Sequence, residues 1–586
     1  MKNKKIVIVG GVAGGASAAT RLRRLDENAQ ITIFERTGYV SYANCGLPYY
    51  VGGVIEDADE LTLQTPDSFW ERFRIDVRTK HEVMSIDTEK KTVMVCGLET
   101  GKVFEESYDK LILAPGAKAF IPNIPGIDSK NVFTLRTVED TFRIRDYVVS
   151  ASPKSAVVVG GGFIGIEVAE NLRKMGVDVT IVEASNQLMN TLDYDMATLV
   201  HTKLRSKGVD IRLDSTVSSI EECKSHEEKK ADNSKPADRM SSESKLSVVL
   251  RDKTRIETDM VLMAVGVTPE SNLAKEAGFK LGIRDSIVVN EKMETSVADI
   301  YAVGDAVQVK NTVTGKYSLI SLAGPANKQG RIVADNICGI ESTFEGSLGS
   351  SVIKVFDLTV ASTGITEKRA DVEGIDYDKV VLSPMSHAGY YPGGHVLTMK
   401  VVYEKVTKKI LGAQIIGFSG VDKRIDVIAT AISAGMKADK LKELDLAYAP
   451  PFSSAKDPVN MAGFMIENVE SGIVKQFYWE DINRLTGDDS VTILDARTSE
   501  EYDSGHVEGA LHIPVDDLRE RKEEIDKSKP LYVYCQSGLR SYIACRILAQ
   551  EGYDCYNLSG GYRFYSMVKK EINLVKKSFP CGMDKE

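Results

Sequence analysis

The chain has 586 residues, 43% of them hydrophobic, and its 74 basic and 84 acidic side chains give a net charge of −10. That length allows about four domains, and the acidic balance excludes bulk nucleic-acid binding. Eight scattered cysteines are no disulfide framework and fit a reducing compartment, and neither an apolar leader nor a membrane-length run is visible, so a cytoplasmic protein with no membrane or nucleic-acid partner is expected.

Residues 4–36 read as a strand (Ile6 to Val9), a turn from Gly10 to Gly15, a helix from Ala16 to Leu25, and a second strand from Ile31 to Phe34 that closes at Glu35. Such a turn aims backbone N–H groups at a pyrophosphate, and the acid after the second strand can accept from ribose hydroxyls. Val12 stands where a second glycine is usual. Tyr108 to Gly116 reads as a strand entering another glycine turn. The unit then recurs: Ala156 to Val159 leads to Gly160, Gly162 and Gly165, a helix through Met175, and a strand ending at Glu183. Two nucleotide sites follow. A carboxylate at Glu183 would repel a 2′-phosphate, which favours NADH over NADPH without excluding the latter.

Residues 223–245 are too polar to bury much surface and read as a surface insertion. A strand at 259–265 ends at Gly266, and the stretch from Thr295 runs to Gly304 and Asp305. From about 350 to 460 strands and helices mix without a glycine fingerprint, which suits an interface domain. The last part alternates strands (Val491 to Leu494, Leu531 to Tyr534) with helical stretches and reads as a separate small α/β domain.

These four motifs, in this order, resemble the two-dinucleotide-binding flavoproteins that include the pyridine nucleotide-disulfide reductases. The resemblance spans residues 1 to about 460. It implies FAD at Gly10, Val12, Ala13, Gly15, Glu35, Arg36, Ser41, Val83, Ala114, Gly116 and Asp305, with Glu35 on the adenosine ribose and Asp305 on the ribityl chain. It implies NADH at Gly160, Gly162, Phe163, Ile164, Gly165, Glu167, Glu183 and Gly266, with Phe163 and Glu167 near the flavin–nicotinamide contact.

Cys45, preceded by Asn44 and followed by Gly46, Leu47 and Pro48, has Val40 and Tyr50 five residues to either side, so it lacks the Cys-x4-Cys pair of the dithiol enzymes. It looks like the single-cysteine branch, which includes coenzyme A-disulfide and coenzyme A-persulfide reductases and NADH oxidases and peroxidases. A thiolate there would attack a disulfide or persulfide sulfur. The segments around Tyr390 and Tyr448 resemble those in which coenzyme A-disulfide reductases carry tyrosines that reach the neighbouring subunit's sulfur, with Tyr391 the competitor for Tyr390. A phenol there eases S–S cleavage by hydrogen bonding or proton donation. The resemblance also places the helix bearing Arg21 and Arg24 near the coenzyme A phosphates, and a solvated helix face is the other reading of that run.

Asp495 and Arg497, Gly505 to Gly509, His512 to Pro514, and the loop from Cys535 to Ser541 together resemble a rhodanese domain. Cys535 would carry sulfane sulfur in a nest of backbone N–H groups, Arg540 would favour an anion nearby, and Asp495 and Arg497 would brace the loop. Cysteine-dependent phosphatases space Cys and Arg by five residues; here Cys535 and Arg540 are separated by four, which disfavours that activity. Cys545 and Cys555 read as core thiols and Cys581 as an idle tail thiol.

The expected architecture is α/β. It has an FAD domain (1–115 and 275–345), an NADH domain (116–274), an α+β dimerisation domain (346–462), a linker (463–477), a rhodanese domain (478–575) and a tail (576–586). No metal site is expected. The reading is a homodimeric FAD- and NADH-dependent reductase of coenzyme A persulfide, coenzyme A disulfide or polysulfide, with coenzyme A as substrate or bound ligand. Cys535 would hand sulfur to coenzyme A or Cys45. An NADH oxidase or peroxidase working through a Cys45 sulfenic acid, and a redox-sensing interaction protein, stay open as alternatives.

Overall fold

The computed structural model describes residues 4–223 and 245–577. Residues 224–244 of the expected insertion, and Cys581 with the end of the tail, lie outside the described residues. The chain divides into two compact units.

The first unit comprises the chain up to Leu188 and Lys207–Gly349. The apolar runs read from the sequence form two five-stranded parallel sheets. The first is ordered Ile300–Ala302, Lys110–Leu113, Lys5–Val9, Gln30–Glu35, Asp76–Thr79, and the second Asp210–Arg212, Asp178–Val182, Ser155–Val159, Met260–Met263, Val132–Thr134. Strands buried on both faces need continuous β-branched sequence. Ile6, Val7, Ile8, Val157 and Val158 are accordingly fully buried, each contributing about 1.5–3 kcal/mol of transfer free energy. The helix Ala13–Leu25 lies against Ala323–Ile337 at close range, since a Cβ on Gly330 would sit 2.3 Å from the carbonyl oxygen of Gly14. The polar insertion joins the antiparallel strands Val217–Glu222 and Leu246–Leu250.

The second unit comprises residues Met189–Ser206 and the chain from Ser350. The helix Tyr194–Ser206, inside the expected NADH segment, thus groups with this unit. A five-stranded antiparallel sheet, ordered Ser351–Val355, Leu358–Gly364, Ile410–Gly417, Thr398–Glu404, Tyr377–Leu382, packs with helices Val421–Ser433 and Pro458–Glu470. A five-stranded parallel sheet follows, ordered Lys475–Phe477, Cys555–Leu558, Leu531–Tyr534, Thr492–Asp495, Leu511–His512.

The expected linker 463–477 is corrected here. Helix Pro458–Glu470 runs through its first half, because Ala462, Gly463 and Ile466 recur at helical spacing and bury one face. Lys475–Phe477 is already an edge strand of the last sheet, paired with Cys555–Leu558. The final helix, Gly561–Lys577, likewise runs two residues into the expected tail.

The last domain is bonded to the antiparallel sheet. Ser559 Oγ accepts from the backbone N–H of Val381 at 3.0 Å, and the N–H of Gly560 donates to the Val381 carbonyl at 2.9 Å. Val381 lies on the edge strand of that sheet. Asp193, Asp195 and Glu367 converge as metal ligands would, but the fully buried Lys400 ammonium stands among them, at 3.5, 2.6 and 2.5 Å. Trp479 Nε1 donates to Asp195 at 3.2 Å and Lys379 pairs with Glu480 at 3.3 Å, extending this network to the start of the last domain.

Candidate active site

Each glycine turn is closed by the acid that follows its second strand. Gly11 N–H donates to Glu35 Oε2 at 2.9 Å, while the N–H and hydroxyl of Thr37 both donate to Oε1 at 2.9 Å. Gly161 N–H donates to Glu183 Oε2 at 2.7 Å, and Ser185 supplies N–H and hydroxyl to Oε1 at 2.9 and 2.8 Å. Each carboxylate is thereby oriented, and each oxygen retains acceptor capacity. A Cβ on Gly10 or Gly160 would fall 2.2 or 2.3 Å from a carbonyl oxygen of the neighbouring strand's end, so both must be glycine. A Cβ on Gly162 would meet nothing within 4 Å, leaving the open cradle that close approach of a pyrophosphate needs.

A cavity of about 540 Å³ opens beside the first turn. Gly10, Val12, Glu35, Arg36, Val83, Ala114 and Gly116 line it, together with Asn44. Ala13 and Gly15 begin the adjoining helix, and Ser41, whose left-handed φ of 48° is uncommon for a non-glycine residue, donates its N–H to the Gly11 carbonyl at 2.8 Å. His81, Arg136 and Glu270 also line the cavity and carried no sequence signal. Asp305 lies in a short turn after Ile300–Ala302, 3.4 Å from Arg136; burial holds its carboxyl above the usual range and Arg136 opposes this. The cavity, its glycine turn and the oriented acid fit a dinucleotide flavin. At the second glycine turn Phe163, Ile164, Gly165 and Glu167 form the first turns of helix Phe163–Lys174, and Gly266 follows strand Met260–Met263.

Cys45 lies in a 3-10 turn, Asn44–Gly46, that runs directly into helix Leu47–Val51. The residue is exposed, yet partial burial of its thiol raises the pKa, and the Glu167 and Asp305 carboxylates raise it further against Arg136. Burial pushes Glu167 up to about 7, against a hydrogen bond donated by Tyr49 at 3.3 Å and with help from Glu170. Of the basic run on the first helix, Arg21 pairs with Asp335 at 2.8 Å, and the buried Arg23 donates to five backbone carbonyls. Arg24 is exposed.

In the second unit Tyr390 and Tyr448 join hydroxyl to hydroxyl at 2.8 Å while remaining 77% and 45% exposed. That hydrogen bond holds the Tyr448 phenol above its usual range. Tyr391 instead sets its ring edge against His387.

Cys535 follows strand Leu531–Tyr534 and is fully buried. Its sulfur accepts from Gly538 N–H at 3.2 Å and from the Ser541 hydroxyl at 3.3 Å. Gly538 has φ +96° and precedes helix Leu539–Gln550, which turns the loop back over the sulfur. Asp495 and Arg497, both buried, form a two-pronged ion pair at 2.6 and 2.9 Å, and Arg497 also donates to the Gly505 carbonyl at 2.8 Å. Arg540 is engaged by Glu501 through two contacts of 2.7 Å, so its charge is met within the protein. Gly561 and Tyr562 were not foreseen. A Cβ on Gly561 would lie 2.8 Å from the Cys535 carbonyl oxygen, and Tyr562 N–H donates to that oxygen at 2.8 Å. Cys545 and Cys555 are buried in the core of this domain.

Two dinucleotide-type turns with a lone thiol nearby, followed by an antiparallel domain and a cysteine loop, define a class of thiol-dependent oxidoreductase. The chain belongs to the pyridine nucleotide-disulphide oxidoreductase family, which it matches over residues 4–330, followed by that family's dimerisation domain over 350–458 and a rhodanese-like domain over 479–567. This membership implies FAD and a nicotinamide nucleotide. The coenzyme A disulfide reductase of Staphylococcus haemolyticus is 37% identical over 462 residues, which cover 79% of this chain and 99% of that one. The crystal structure of reduced Bacillus anthracis CoADR-RHD is similar over 97% of this chain and 99% of that one, with 46% identity and a TM-score of 0.91. The NAD-dependent persulfide reductase of A. fulgidus is 37% identical, with a TM-score of 0.87, over 96% of this chain and 99% of that one. Among the described residues no helix is long and apolar enough to cross a membrane.

Proposed function

We propose that this protein is an NADH-dependent reductase of coenzyme A persulfide and coenzyme A disulfide, working as a homodimer, with Cys535 handling sulfane sulfur and Cys45 the reductive step. The carrying observation is the pairing, in one chain, of a lone thiol beside a dinucleotide cavity with a second thiol gripped by an N–H and an O–H donor. Cys45 attacks the outer sulfur of the substrate, and coenzyme A leaves as a thiol or thiolate. FAD, held at the cavity lined by Gly10 and Glu35, would supply two electrons taken from NADH; with two protons these would release the sulfur held on Cys45 as sulfide (or a second thiol) and restore the Cys45 thiol. The oriented carboxylate of Glu183 supports NADH over NADPH because a 2′-phosphate would meet like charge.

Tyr390 and Tyr448 present a hydrogen-bonded pair of exposed phenols, and Phe452, four residues beyond Tyr448, is 71% exposed. Exposed apolar clusters of this kind suit an interface. In the dimer these phenols would serve the leaving thiolate of the opposite subunit. Arg24, the exposed member of its run, is the better candidate for a coenzyme A phosphate, since Arg21 is paired with Asp335. Arg540 contributes by fixing the loop through Glu501.

The test is anaerobic NADH oxidation by wild type, Cys45→Ser and Cys535→Ser with each coenzyme A compound, with sulfide measured. Persulfide turnover with sulfide release, lost in Cys45→Ser, supports the reading. Faster turnover of the disulfide makes the protein chiefly a disulfide reductase. Turnover of neither, with rapid oxygen consumption in air, makes it an oxidase.

A further inference from the structure

The reading above leaves one side of the last helix, Gly561–Lys577, without a task. Part of that helix is committed to packing: Phe564 and Val568 are buried, and Glu571 is met by Arg205 at 3.0 Å. Another side borders a cavity of about 470 Å³, lined by Tyr562, Tyr565, Ser566, Lys569, Lys570 and Asn573. That volume lies within the roughly 300–1,000 Å³ of small-molecule sites. The lining positions recur at three- and four-residue spacing, so they share one face of the helix and form a groove about 17 Å long at 1.5 Å per residue.

The groove begins at the cysteine loop. Tyr562 N–H donates to the Cys535 carbonyl oxygen at 2.8 Å, and Arg563 N–H donates to that of Gln536 at 3.1 Å. The Arg497 guanidinium lies 4.0 Å from the centre of the Tyr562 ring, so the Asp495–Arg497 brace reaches the groove's first residue. Further along, the Lys569 ammonium stands 5.3 Å from the centre of the Tyr565 ring. Among the described residues no carboxylate lines the groove, and neither Lys569 nor Lys570 has an ion-pair partner. The groove therefore carries positive charge at one end, ring walls between, and the sulfur-bearing loop at the other end. Uncompensated ammoniums take phosphate oxygens as charge-assisted partners.

We propose that this groove docks the acceptor of the Cys535 sulfur, a thiol that carries phosphate at its far end, with Lys569 and Lys570 on the phosphates and the thiol directed past Tyr562 to the loop. This rests on Cys535 being the sulfane carrier assigned above, and the acceptor of that class is then coenzyme A. The two lysines follow Tyr562 by seven and eight residues, about 11 Å along the axis. Only a ligand whose thiol and phosphates are joined by an extended arm serves both ends, as the pantetheine arm does. In the transfer the acceptor sulfur attacks the outer sulfur of the Cys535 persulfide. A new S–S bond forms on the acceptor, the old one breaks, and its electron pair stays on the Cys535 sulfur. The thiol proton passes to the outer sulfur, and no oxidant or reductant is consumed.

Two measurements on the full-length holoenzyme, without NADH, test this. The first is acetylation of lysines by an N-hydroxysuccinimide ester, read by peptide mass spectrometry relative to the other exposed lysines. Millimolar coenzyme A should slow labelling of Lys569 and Lys570 at least about fivefold, whereas pantetheine, which has no phosphate, should not. Labelling unaltered by coenzyme A overturns the site. The second is discharge of Cys535 persulfide, loaded from labelled thiosulfate, by limiting coenzyme A and by pantetheine. Both lysines are exposed, so their exchange spares the core. In Lys569→Gln with Lys570→Gln the ratio of the coenzyme A rate to the pantetheine rate should fall about tenfold, for the loss of two exposed charge contacts. Lys569→Arg with Lys570→Arg keeps both charges and should keep the ratio. A wild-type ratio in the glutamine pair overturns the docking role. If Cys535 takes up no label, the sulfane assignment itself fails, and the lysine labelling decides the groove by itself.

Discussion

Cys45 and Cys535 are both free thiols just ahead of a helix, but their surroundings are opposites. Cys45 is exposed and faces two carboxylates that discourage its anion. Cys535 is sealed from solvent, with one N–H and one hydroxyl pointed at its sulfur. A sulfur surrounded by donors can hold negative charge, or a persulfide, for long periods. A sulfur facing acids gains its charge only when a proton has somewhere to go. The first arrangement suits storage and the second suits turnover, and the difference lies in environment rather than residue type.

Four substitutions break or sharpen that contrast. Cys45→Ser has the largest expected effect: NADH-dependent reduction should fall by at least about a thousandfold, because a hydroxyl is a far weaker nucleophile than a thiolate, while Cys535 still takes up sulfur from thiosulfate. Stopped-flow reduction and labelling followed by mass spectrometry read the two halves separately. Cys535→Ser should abolish that label yet leave coenzyme A disulfide reduction within about twofold, since no step at Cys45 requires it. Tyr448→Phe removes one phenol of the hydrogen-bonded pair and should slow substrate reduction about a hundredfold through loss of a proton donor. Its pre-steady-state rate should lose pH dependence on the alkaline side. Ser541→Ala takes away one of the two donors to Cys535; at about 1.4 kcal/mol for a hydrogen bond to an anion, labelling should weaken about tenfold. An unchanged label would mean that Gly538 N–H alone holds the sulfur.

The features legible in the sequence were those carried by local chemistry. Gly10 and Gly160 announce their turns because nothing else fits a positive φ against a neighbouring carbonyl, Gly162 leaves the cradle open, and Glu35 and Glu183 sit a similar distance further on. The cysteine loop is equally local, ending with the Ser541 hydroxyl on Cys535. What the sequence concealed was contact between distant segments. Tyr49 meets Glu167 across 118 residues and Arg136 meets Asp305 across 169, and no periodicity encodes either. The linker was misread for a different reason. Ile466, Val474 and Phe477, the residues that bury, are too widely spaced to stand out. Helix Tyr194–Ser206 was assigned by chain order, but Lys400 and Glu571, which meet its Asp195 and Arg205, come from much later in the chain.

The bonding of Ser559 and Gly560 to Val381 has a consequence for solubility. Tyr377–Leu382 is the outermost strand of its sheet, six residues long, with Val380, Val381 and Leu382 buried. An open strand of that composition is a template for edge-to-edge aggregation, and here the fused domain sits on its free backbone groups. Cutting the chain ahead of Trp479 would strip that cover and take the indole from Asp195 and the carboxylate of Glu480 from Lys379. The rhodanese-like domain is therefore also a cap, and a shortened chain should precipitate before it loses its chemistry.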